Sequence, residues 1–455
     1  MPAETYNTIC NLTYNLNDLL WGMATFILIV SFGIYFTIRI KCCNIIHIVY
    51  FFKKVFCTDK SSSAKEQKGK LSQFQALSTA LAASMGTGNI IGVAAAISMG
   101  GPGAIFWMWV SAIFGTAIGF IENVLGYIYK GNGKGPMGYI AKAFNSQKAP
   151  KTYALLCVAA SFGIGNMTQS NAISAAASDF GISLPISGIL IAAICGAVIF
   201  GGGKKVASTA EKLVPIAAVL YLLGAIAVIV IFGKYITETL NLIVTSAMGF
   251  SQISGGICGA ALKKSIAVGL RRGIFSNEAG LGSSVLIHSE TDSDSPVKMG
   301  MFAVVEVVID TLLCCTCTAL VILLTNADTS GAQGLAMVTQ GFSSVMGNSA
   351  GIFVAATTVI FAFCTLFGWY FYGEKCLEFV FKTGNFKVLF CYRILYIFAA
   401  FIGAITELEL VWETADILNW FMLVLNLSAV VILHNDAVKE INNYTFSIKR
   451  ADKNS

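Results

Sequence analysis

The chain has 455 residues, of which 56% are hydrophobic and only 12% are charged, and its mean hydropathy is +0.73. Soluble domains carry about 25% charged residues, so this composition excludes a soluble protein and predicts an all-α polytopic membrane protein. The net charge of +6 does not indicate a nucleic-acid partner, because the cations lie in short loops at the ends of apolar runs. The thirteen cysteines lack metal-ligand spacing, and we interpret them as small packing residues.

Runs of about 20 apolar residues predict eleven transmembrane helices. We place them near 18–39, 73–98, 103–129, 152–178, 184–200, 210–232, 240–287 (interrupted), 298–324, 349–373, 389–406 and 411–433. The segment before the first run is polar and lacks Lys and Arg, so we expect that run to be a membrane span and not a cleaved signal.

The distribution of Lys and Arg predicts the orientation, because short cytoplasmic loops carry an excess of both. With the N-terminus outside, the basic loops 39–70, 130–151, 204–212 and 375–393 and the C-terminal tail all fall inside, and Lys234 falls outside. Four cations of the seventh segment cannot be assigned to a side. We therefore predict a plasma-membrane protein with an external N-terminus and a cytoplasmic C-terminus.

The order of the spans predicts an internal repeat. Residues 1–71 hold one extra helix and a basic loop, residues 72–232 hold five spans, residues 233–433 hold five more, and residues 434–455 form a cytoplasmic tail. Each set of five opens with a span broken by glycine-rich polar residues. Because five is odd, the second set crosses the membrane inverted relative to the first, which is the arrangement of many secondary transporters.

The first break is Ser84–Ile90. Gly86 and Gly88 let the backbone leave helical geometry, and the half-helix that starts near Gly88 offers free N–H groups to an anion such as a carboxylate. Thr87 and Asn89 add a hydroxyl and an amide. Carbonyl groups at the end of the preceding half-helix, around Ala83 to Met85, can coordinate a small cation.

Two other interpretations of this glycine pattern stay open. Small residues pack helices together in membranes, and a dinucleotide-binding loop has a related spacing. The spacing here differs by one residue from that fingerprint, and no strand of a soluble sheet precedes it.

The second break is Gly273–Gly282, which contains Phe275, Ser276, Asn277 and Glu278. The serine and the asparagine can bind an ammonium group or backbone groups, and an intramembrane carboxylate is a candidate functional group by default. Alternatively, the last two glycines cap a helix near the cytoplasmic surface and Glu278 is solvated.

Further polar residues lie within the apolar runs. Four carboxylates, Glu122, Glu211, Glu306 and Asp310, are candidates. We expect Glu122 and Asp310, which lie deeper, to be structural, in hydrogen-bonded pairs, with direct ligand binding as the alternative, and Glu211 to face water at a span end. Amides in span four, Asn166 and Gln169, either bond between helices or line a site. In span nine, Thr365 and Trp369 lie one turn apart and would give one face a hydroxyl and a flat wall, although a lone Trp is often an interfacial anchor.

At these residues the chain resembles the alanine or glycine:cation symporter family, the sodium:alanine carriers. The matching stretches are Met85–Ile90 with Gly100–Val110, Gly165–Met167, Ala210–Pro215, Phe275–Ser283 and Gly368–Glu374, and the similarity runs from about residue 72 to 433. The resemblance implies a leucine-transporter-type fold with an extra N-terminal helix and Na⁺-driven uptake of alanine or glycine.

The resemblance also implies roles for individual residues. Thr87, Gly88 and Asn89 would meet the substrate carboxylate. The remaining pocket residues would be Gln169, Phe275, Ser276, Asn277, Thr365 and Trp369. The Na⁺ site would use Ala83, Met85, Gly86, Cys364 and Thr365. Cys364 stands where the family usually has a hydroxyl residue, and residues after Gly282 depart from the family's alanine and proline, so ion affinity and substrate preference could differ.

The predicted function is therefore Na⁺-coupled symport of a small neutral amino acid by alternating access. We expect Phe275 and Trp369 to close the pocket against side chains much larger than a methyl group. The expected partners are the amino acid, Na⁺ and the lipid bilayer, the protein is expected to be a monomer, and no cofactor other than the coupling ion is expected. An ion or ammonia channel is the main alternative, and it would need an open multi-site pore. A membrane-embedded enzyme is the other, but His47, His288 and His434 all lie near span ends.

Overall fold

The computed structural model describes residues 3–56, 72–249, 255–291, 295–381, 385–406 and 409–454. All the secondary-structure elements in those ranges are helices. Most of the predicted basic loop after the first span lies outside the described residues.

The helices of the first half are α1 (Ala3–Leu20), α2 (Met23–Arg39), α3 (Cys43–Ile46), α4 (Ile48–Phe56), α5 (Gln73–Ser84), α6 (Ile91–Gly100), α7 (Gly103–Ile128), α8 (Pro136–Phe144), α9 (Lys148–Phe162), α10 (Thr168–Ser178), α11 (Leu184–Ile199) and α12 (Gly202–Ile231). The helices of the second half are α13 (Ile236–Ala247), α14 (Gly255–Asn277), α15 (Ser283–His288), α16 (Pro296–Val307), α17 (Thr316–Leu324), α18 (Gly334–Met346), α19 (Ala350–Phe381), α20 (Phe386–Ile405) and α21 (Glu409–Asn454).

Seven helical stretches among the described residues are long and apolar enough to cross a membrane, by length and composition. They are Thr8–Arg39, Gly103–Ile128, Gly202–Ile231, Pro296–Leu324, Gly334–Phe381, Phe386–Ile405 and Val411–Phe446. The chain is thus a polytopic helical membrane protein. The count of eleven spans, the inverted repeat and the domain boundaries remain predictions.

Several predicted elements differ from the observed helices. The first predicted span begins inside α1 and is divided at Trp21–Gly22 between α1 and α2. The long seventh segment contains α13, α14 and α15 in succession, and the predicted tail continues the helix α21 to Asn454. Three short helices, α4, α8 and α18, lie where loops were expected, because runs of 9 to 13 residues are too short for a search based on membrane thickness.

The first broken span is interrupted where predicted. Helix α5 ends at Ser84, Gly86 is extended, Thr87–Asn89 form a single 3₁₀ turn, and α6 begins at Ile91. Every residue from position 81 to position 90 is buried, so protein covers the uncoiled backbone and keeps it away from lipid.

The second break is shorter than predicted. Residues Gly273 to Asn277 complete α14, and only residues 278–282 leave the helix before α15. The backbone reverses through positive φ at Glu278 (54°), Gly280 (86°) and Gly282 (75°). The expectation that uncoiling begins at Gly273 is wrong: a Cβ on Gly273 would lie 2.1 Å from the Ser111 hydroxyl oxygen, so this glycine allows close helix packing and does not break the helix.

Two π-helical segments interrupt the other site helices. Gly163–Met167 separates α9 from α10, and Val308–Cys315 separates α16 from α17. Such segments are rare and occur often at functional sites. The first contains Asn166 and the second contains Asp310, so both segments set the direction of buried polar side chains.

Small residues bring the site helices into close contact. A Cβ on Gly368 of α19 would lie 2.6 Å from the Cα of Ala83, and a Cβ on Gly165 would lie 2.1 Å from the Cβ of Trp369. Helix α19 therefore packs directly against the end of α5 on one side and against the first π-helical segment on the other.

Candidate functional site

The first break lies against the last turn of α14, which leads directly into the second break. A Cβ on Gly88 would be 3.3 Å from the Phe275 ring and 3.9 Å from the Cα of Ser276. Residues about 190 positions apart in the sequence thus form a single buried polar centre, and this is the candidate site.

Gln169 holds the turn of the first break. Its Oε1 accepts hydrogen bonds from the Thr87 hydroxyl at 2.9 Å and from the Thr87 amide at 3.2 Å. Its Nε2 donates to the Ile164 carbonyl oxygen at 3.0 Å. Gln169 is therefore brought into the site, where its contacts orient Thr87.

The backbone of the turn keeps one donor for a ligand. The amide of Asn89 bonds to the Gly86 carbonyl and that of Ile90 bonds to the Thr87 carbonyl. With Thr87 bonded to Gln169, Gly88 has the turn's remaining N–H group, which makes no hydrogen bond among the described residues. Of the three residues predicted to meet a carboxylate, Gly88 is thus the one whose amide has no hydrogen bond among the described residues, and the contact itself remains a prediction.

Asp310 connects the first break to the last turn of α14. Its Oδ1 accepts a hydrogen bond from Asn89 Nδ2 at 2.7 Å, and its Oδ2 accepts from the hydroxyls of Ser276 at 2.6 Å and Thr311 at 2.8 Å. Asp310 is fully buried, and no described Lys, Arg or His forms an ion pair with it. The side-chain donors of Asn89 and Ser276 are therefore directed at Asp310, whereas the Oδ1 of Asn89 is buried without a partner.

Asn277 offers a donor to the site. Its Oδ1 accepts a hydrogen bond from the Ala279 amide at 3.0 Å, while its Nδ2 is buried with no partner among the described groups. An N–H group suits a carboxylate or carbonyl oxygen and not an ammonium group. The free Nδ2 therefore favours a carboxylate at this position, and the predicted contact of Asn277 with an ammonium group remains untested.

Thr365 and its neighbours lie beside the first break. The Thr365 hydroxyl donates to the Ala82 carbonyl oxygen at 3.0 Å, and a Cβ on Gly86 would lie 2.3 Å from that hydroxyl. Cys364 is fully buried on the same helix. The structure thus brings Thr365 to the end of α5, where Ala83, Met85 and Gly86 lie.

Aromatic residues form the walls of the site. Trp369 is fully buried and packs edge-on to Tyr372 with ring centroids 5.4 Å apart, so it is not an interfacial anchor. Phe275 stacks on Trp412 of α21 with centroids 4.8 Å apart and an interplanar angle of 24°. Trp412 was missed in the sequence because a Trp at the start of a span is typical of a membrane interface.

Side chains from several helices hold the second break in place. Glu122 Oε2 accepts a hydrogen bond from Asn426 Nδ2 at 2.8 Å, and the same amide donates to the Gly280 carbonyl oxygen at 2.8 Å. The Tyr153 hydroxyl donates to the Leu281 carbonyl oxygen at 2.7 Å. Glu122 thus lies in a hydrogen-bonded pair, as expected. Asn426 and Tyr153 were not predicted, because their partners lie at distant positions in the chain.

Three further carboxylates have hydrogen-bond partners. Glu278 accepts from the Ser283 hydroxyl at 2.5 Å, and Glu306 lies 3.3 Å from His288 Nε2. Glu211 accepts from Gln75 Nε2 at 2.9 Å. The expectation that Glu211 only faces water is wrong, and Glu278 is buried and not solvated.

Two broken helices that meet inside a polytopic helical bundle define a secondary transporter fold of the discontinuous-helix type. Comparison with known proteins gives the family. The profile of the sodium:alanine symporter family matches residues 6–455, and the chain belongs to that family. It is therefore a Na⁺-coupled amino-acid symporter with Na⁺ as its coupling ion, and it is not an enzyme.

Two relatives and one solved structure illustrate the similarity. A probable sodium/glutamine symporter, GlnT of Bacillus subtilis, is 40% identical over 440 residues, covering 94% of this chain and 89% of its own. The sodium/alanine symporter AgcS of Methanococcus maripaludis is 35% identical over 460 residues, covering 98% and 99%. A Na⁺-coupled sialic acid symporter in a substrate-bound outward-open state has a TM-score of 0.51 at 13% identity, covering 88% of this chain and 81% of that one, and it indicates a shared fold.

Proposed function

We propose that this symporter takes up alanine, glycine or both together with Na⁺ by alternating access. The observation that carries the proposal is the contact between the first break and the last turn of α14, where the Phe275 ring would lie 3.3 Å from a Cβ on Gly88. A substrate held there has little room for a long side chain, which favours a small amino acid.

The proposed orientation of the substrate follows from the unpaired polar groups. Its carboxylate accepts hydrogen bonds from the Gly88 amide and from Asn277 Nδ2, beside the N-terminus of α6. Its ammonium group donates to the buried Oδ1 of Asn89, which has no other partner among the described groups. In this orientation both charged groups of the zwitterion have hydrogen-bonding partners in the site.

The proposed Na⁺ site lies at the end of α5. Main-chain oxygens of Ala83, Met85 and Gly86 and the Thr365 hydroxyl oxygen are hard donors, which suit Na⁺. The thiol of Cys364 is a soft ligand, so Thr365 supplies the side-chain oxygen. Na⁺ bound here neutralises carbonyl dipoles of the first break and stabilises the turn that carries Gly88.

Glutamine is the second candidate substrate. The relative GlnT is named for glutamine and is 40% identical, whereas the relative named for alanine is 35% identical. The close approach of Gly88 and Phe275 favours alanine, and the experiment below separates the two.

Uptake into proteoliposomes tests the proposal. Radiolabelled alanine, glycine and glutamine are each supplied with an inward Na⁺ gradient or with choline in place of Na⁺. We expect accumulation of alanine or glycine above the external concentration with Na⁺ only. Accumulation of glutamine alone would replace the small-substrate proposal, and flux that never exceeds the external concentration would favour a channel.

A further inference from the structure

Four charged side chains are buried together next to the candidate site. Arg271 and Arg272 of α14 face Glu413 and Asp416 of α21. Nη1 of Arg271 lies 3.6 Å from a Glu413 oxygen, its Nε lies 3.4 Å from Asp416 Oδ2, and Nη1 of Arg272 lies 3.9 Å from the same oxygen. All four residues are less than 10% exposed.

This cluster is joined to the site by stacked side chains. The guanidinium carbon of Arg272 lies 4.8 Å from the Trp412 ring centroid and 5.6 Å from that of Phe275. Trp412 in turn stacks on Phe275, whose ring faces Gly88. We call Arg271, Arg272, Trp412, Glu413 and Asp416 the arginine lid.

The N-terminal helix contacts the lid directly. Asn17 Nδ2 of α1 donates to the Glu413 carbonyl oxygen at 2.7 Å and to its carboxylate at 2.5 Å, and Trp21 Nε1 donates to the Asp416 carbonyl oxygen at 3.1 Å. Asn17 is fully buried and Trp21 is 3% exposed. Both donors therefore hold the first turns of α21 at the two residues that carry the lid's acidic groups.

The hydrogen bonds from Asn17 to α21 are shorter than the ion pairs between α14 and α21. Direct charge-assisted hydrogen bonds are about 2.7–2.9 Å long, and the ion pairs between α14 and α21 are all longer than that. The two contacts from Asn17 fall within or below this range. Helix α21 is thus joined to α1 by shorter contacts than those that join it to the arginines.

We propose that Asn17 and Trp21 are positioning residues for transport: α1 fixes the acidic half of the arginine lid, and the lid opens when the α14 arginines leave it. The inference rests on the proposed substrate site beside Phe275. Without the α1 contacts, Glu413 and Asp416 are no longer held opposite the arginines, Trp412 loses its fixed place on Phe275, and bound substrate escapes sooner.

The test uses the full-length protein and two measurements. The variants are Asn17→Ala and Trp21→Phe, which remove one donor each, with Asn15→Ala as the matched control because Asn15 is exposed on the same helix. Hydrogen exchange of residues 411–420 reports, without any substrate, on the contacts by which Asn17 and Trp21 hold the start of α21. Dissociation of radiolabelled alanine from purified protein in Na⁺ reports on the lid.

We expect both variants to exchange faster over residues 411–420 and to release alanine about three- to tenfold faster, as the loss of a hydrogen bond implies. The unfolding midpoint should fall modestly for the same reason. Unchanged hydrogen exchange in Asn17→Ala would show that Asn17 does not hold the start of α21, whether or not alanine binds. Faster exchange with unchanged release would overturn the role in the lid. If the wild type binds no alanine, the substrate proposal fails separately, and the release measurement is made with glutamine. Should Asn17→Ala unfold, Trp21→Phe, which keeps an aromatic ring at this position, gives the same two readouts.

Discussion

Asn89 and Asp310 are 221 positions apart in the chain and are joined by a buried hydrogen bond of 2.7 Å. The same carboxylate accepts the Ser276 hydroxyl at 2.6 Å, so one side chain of a third helix holds both the first break and the last turn of α14. A movement that carries Asn89 or Ser276 away must therefore break a bond to Asp310, which couples the two halves of the site.

Replacement of Asp310 by Asn should abolish most transport. The amide has one acceptor oxygen where the carboxylate has two, and three side-chain donors point at it. Each buried donor left without a partner costs about 1–3 kcal/mol, so we expect the initial uptake rate in proteoliposomes to fall at least about tenfold. Asp179→Asn, at an exposed position, is the control. Equal uptake by the two variants would contradict the coupling role.

Replacement of Gly86 by Ala should distort the first break. The new Cβ would lie 2.3 Å from the Thr365 hydroxyl oxygen and 3.1 Å from Gln169 Oε1, so both side chains must move from the turn that carries Thr87. We expect Na⁺-dependent uptake to be lost while the protein still reaches the membrane. Gly351→Ala serves as the control, since a Cβ there would meet nothing within 4 Å. Normal Na⁺ affinity in Gly86→Ala would show that the turn tolerates the displacement.

Asn277 allows a test that separates its two functional groups. Asp at this position keeps an oxygen to accept the Ala279 amide but removes the unpaired N–H donor and adds a negative charge, whereas Ala removes both interactions. If Nδ2 binds the substrate carboxylate, Asn277→Asp should raise the KM for alanine at least about tenfold. Asn277→Ala should raise the KM and also lower the unfolding midpoint. An unchanged KM in the Asp variant would exclude the proposed contact.

The sequence was sufficient to predict the position of the first break and the neighbourhood of the second. Glycines beside Thr87 and Asn89 within an apolar run are rare unless backbone groups are needed there, because an unpaired group in hydrocarbon costs several kcal/mol. The apolar runs likewise predicted α7, α11 and α20 to within a few residues, since a membrane span has a length fixed by the bilayer.

Pairings between distant residues could not be predicted. Asp310 was recognised as an intramembrane carboxylate, but its partners lie 221 and 34 positions away and meet it through a π-helical segment that leaves no clear sequence pattern. Gly273 and Gly280 lie in the same glycine-rich polar stretch of the sequence. Only the structure shows that Gly273 packs against Ser111, whereas Gly280 adopts a positive φ. The direction of the Asn277 amide depends on one local contact with Ala279.

The ion pairs on the side predicted to be cytoplasmic should matter far less than the site itself. Lys134 Nζ lies 3.0 Å from Glu290, and Lys375 Nζ lies 3.1 Å from Glu378 and 4.0 Å from Glu290. The Lys134 side chain is 48% exposed, and solvent-exposed pairs contribute about 0–1 kcal/mol. We therefore expect Glu290→Gln to change the rate of alanine exchange by less than about fivefold, and to do so mainly at low salt because added salt screens such pairs. Exchange rates measured at low and high ionic strength, with impermeant choline salts to hold Na⁺ constant, check this. A loss of transport that persists at high salt would mean that Glu290 has a role beyond its ion pairs.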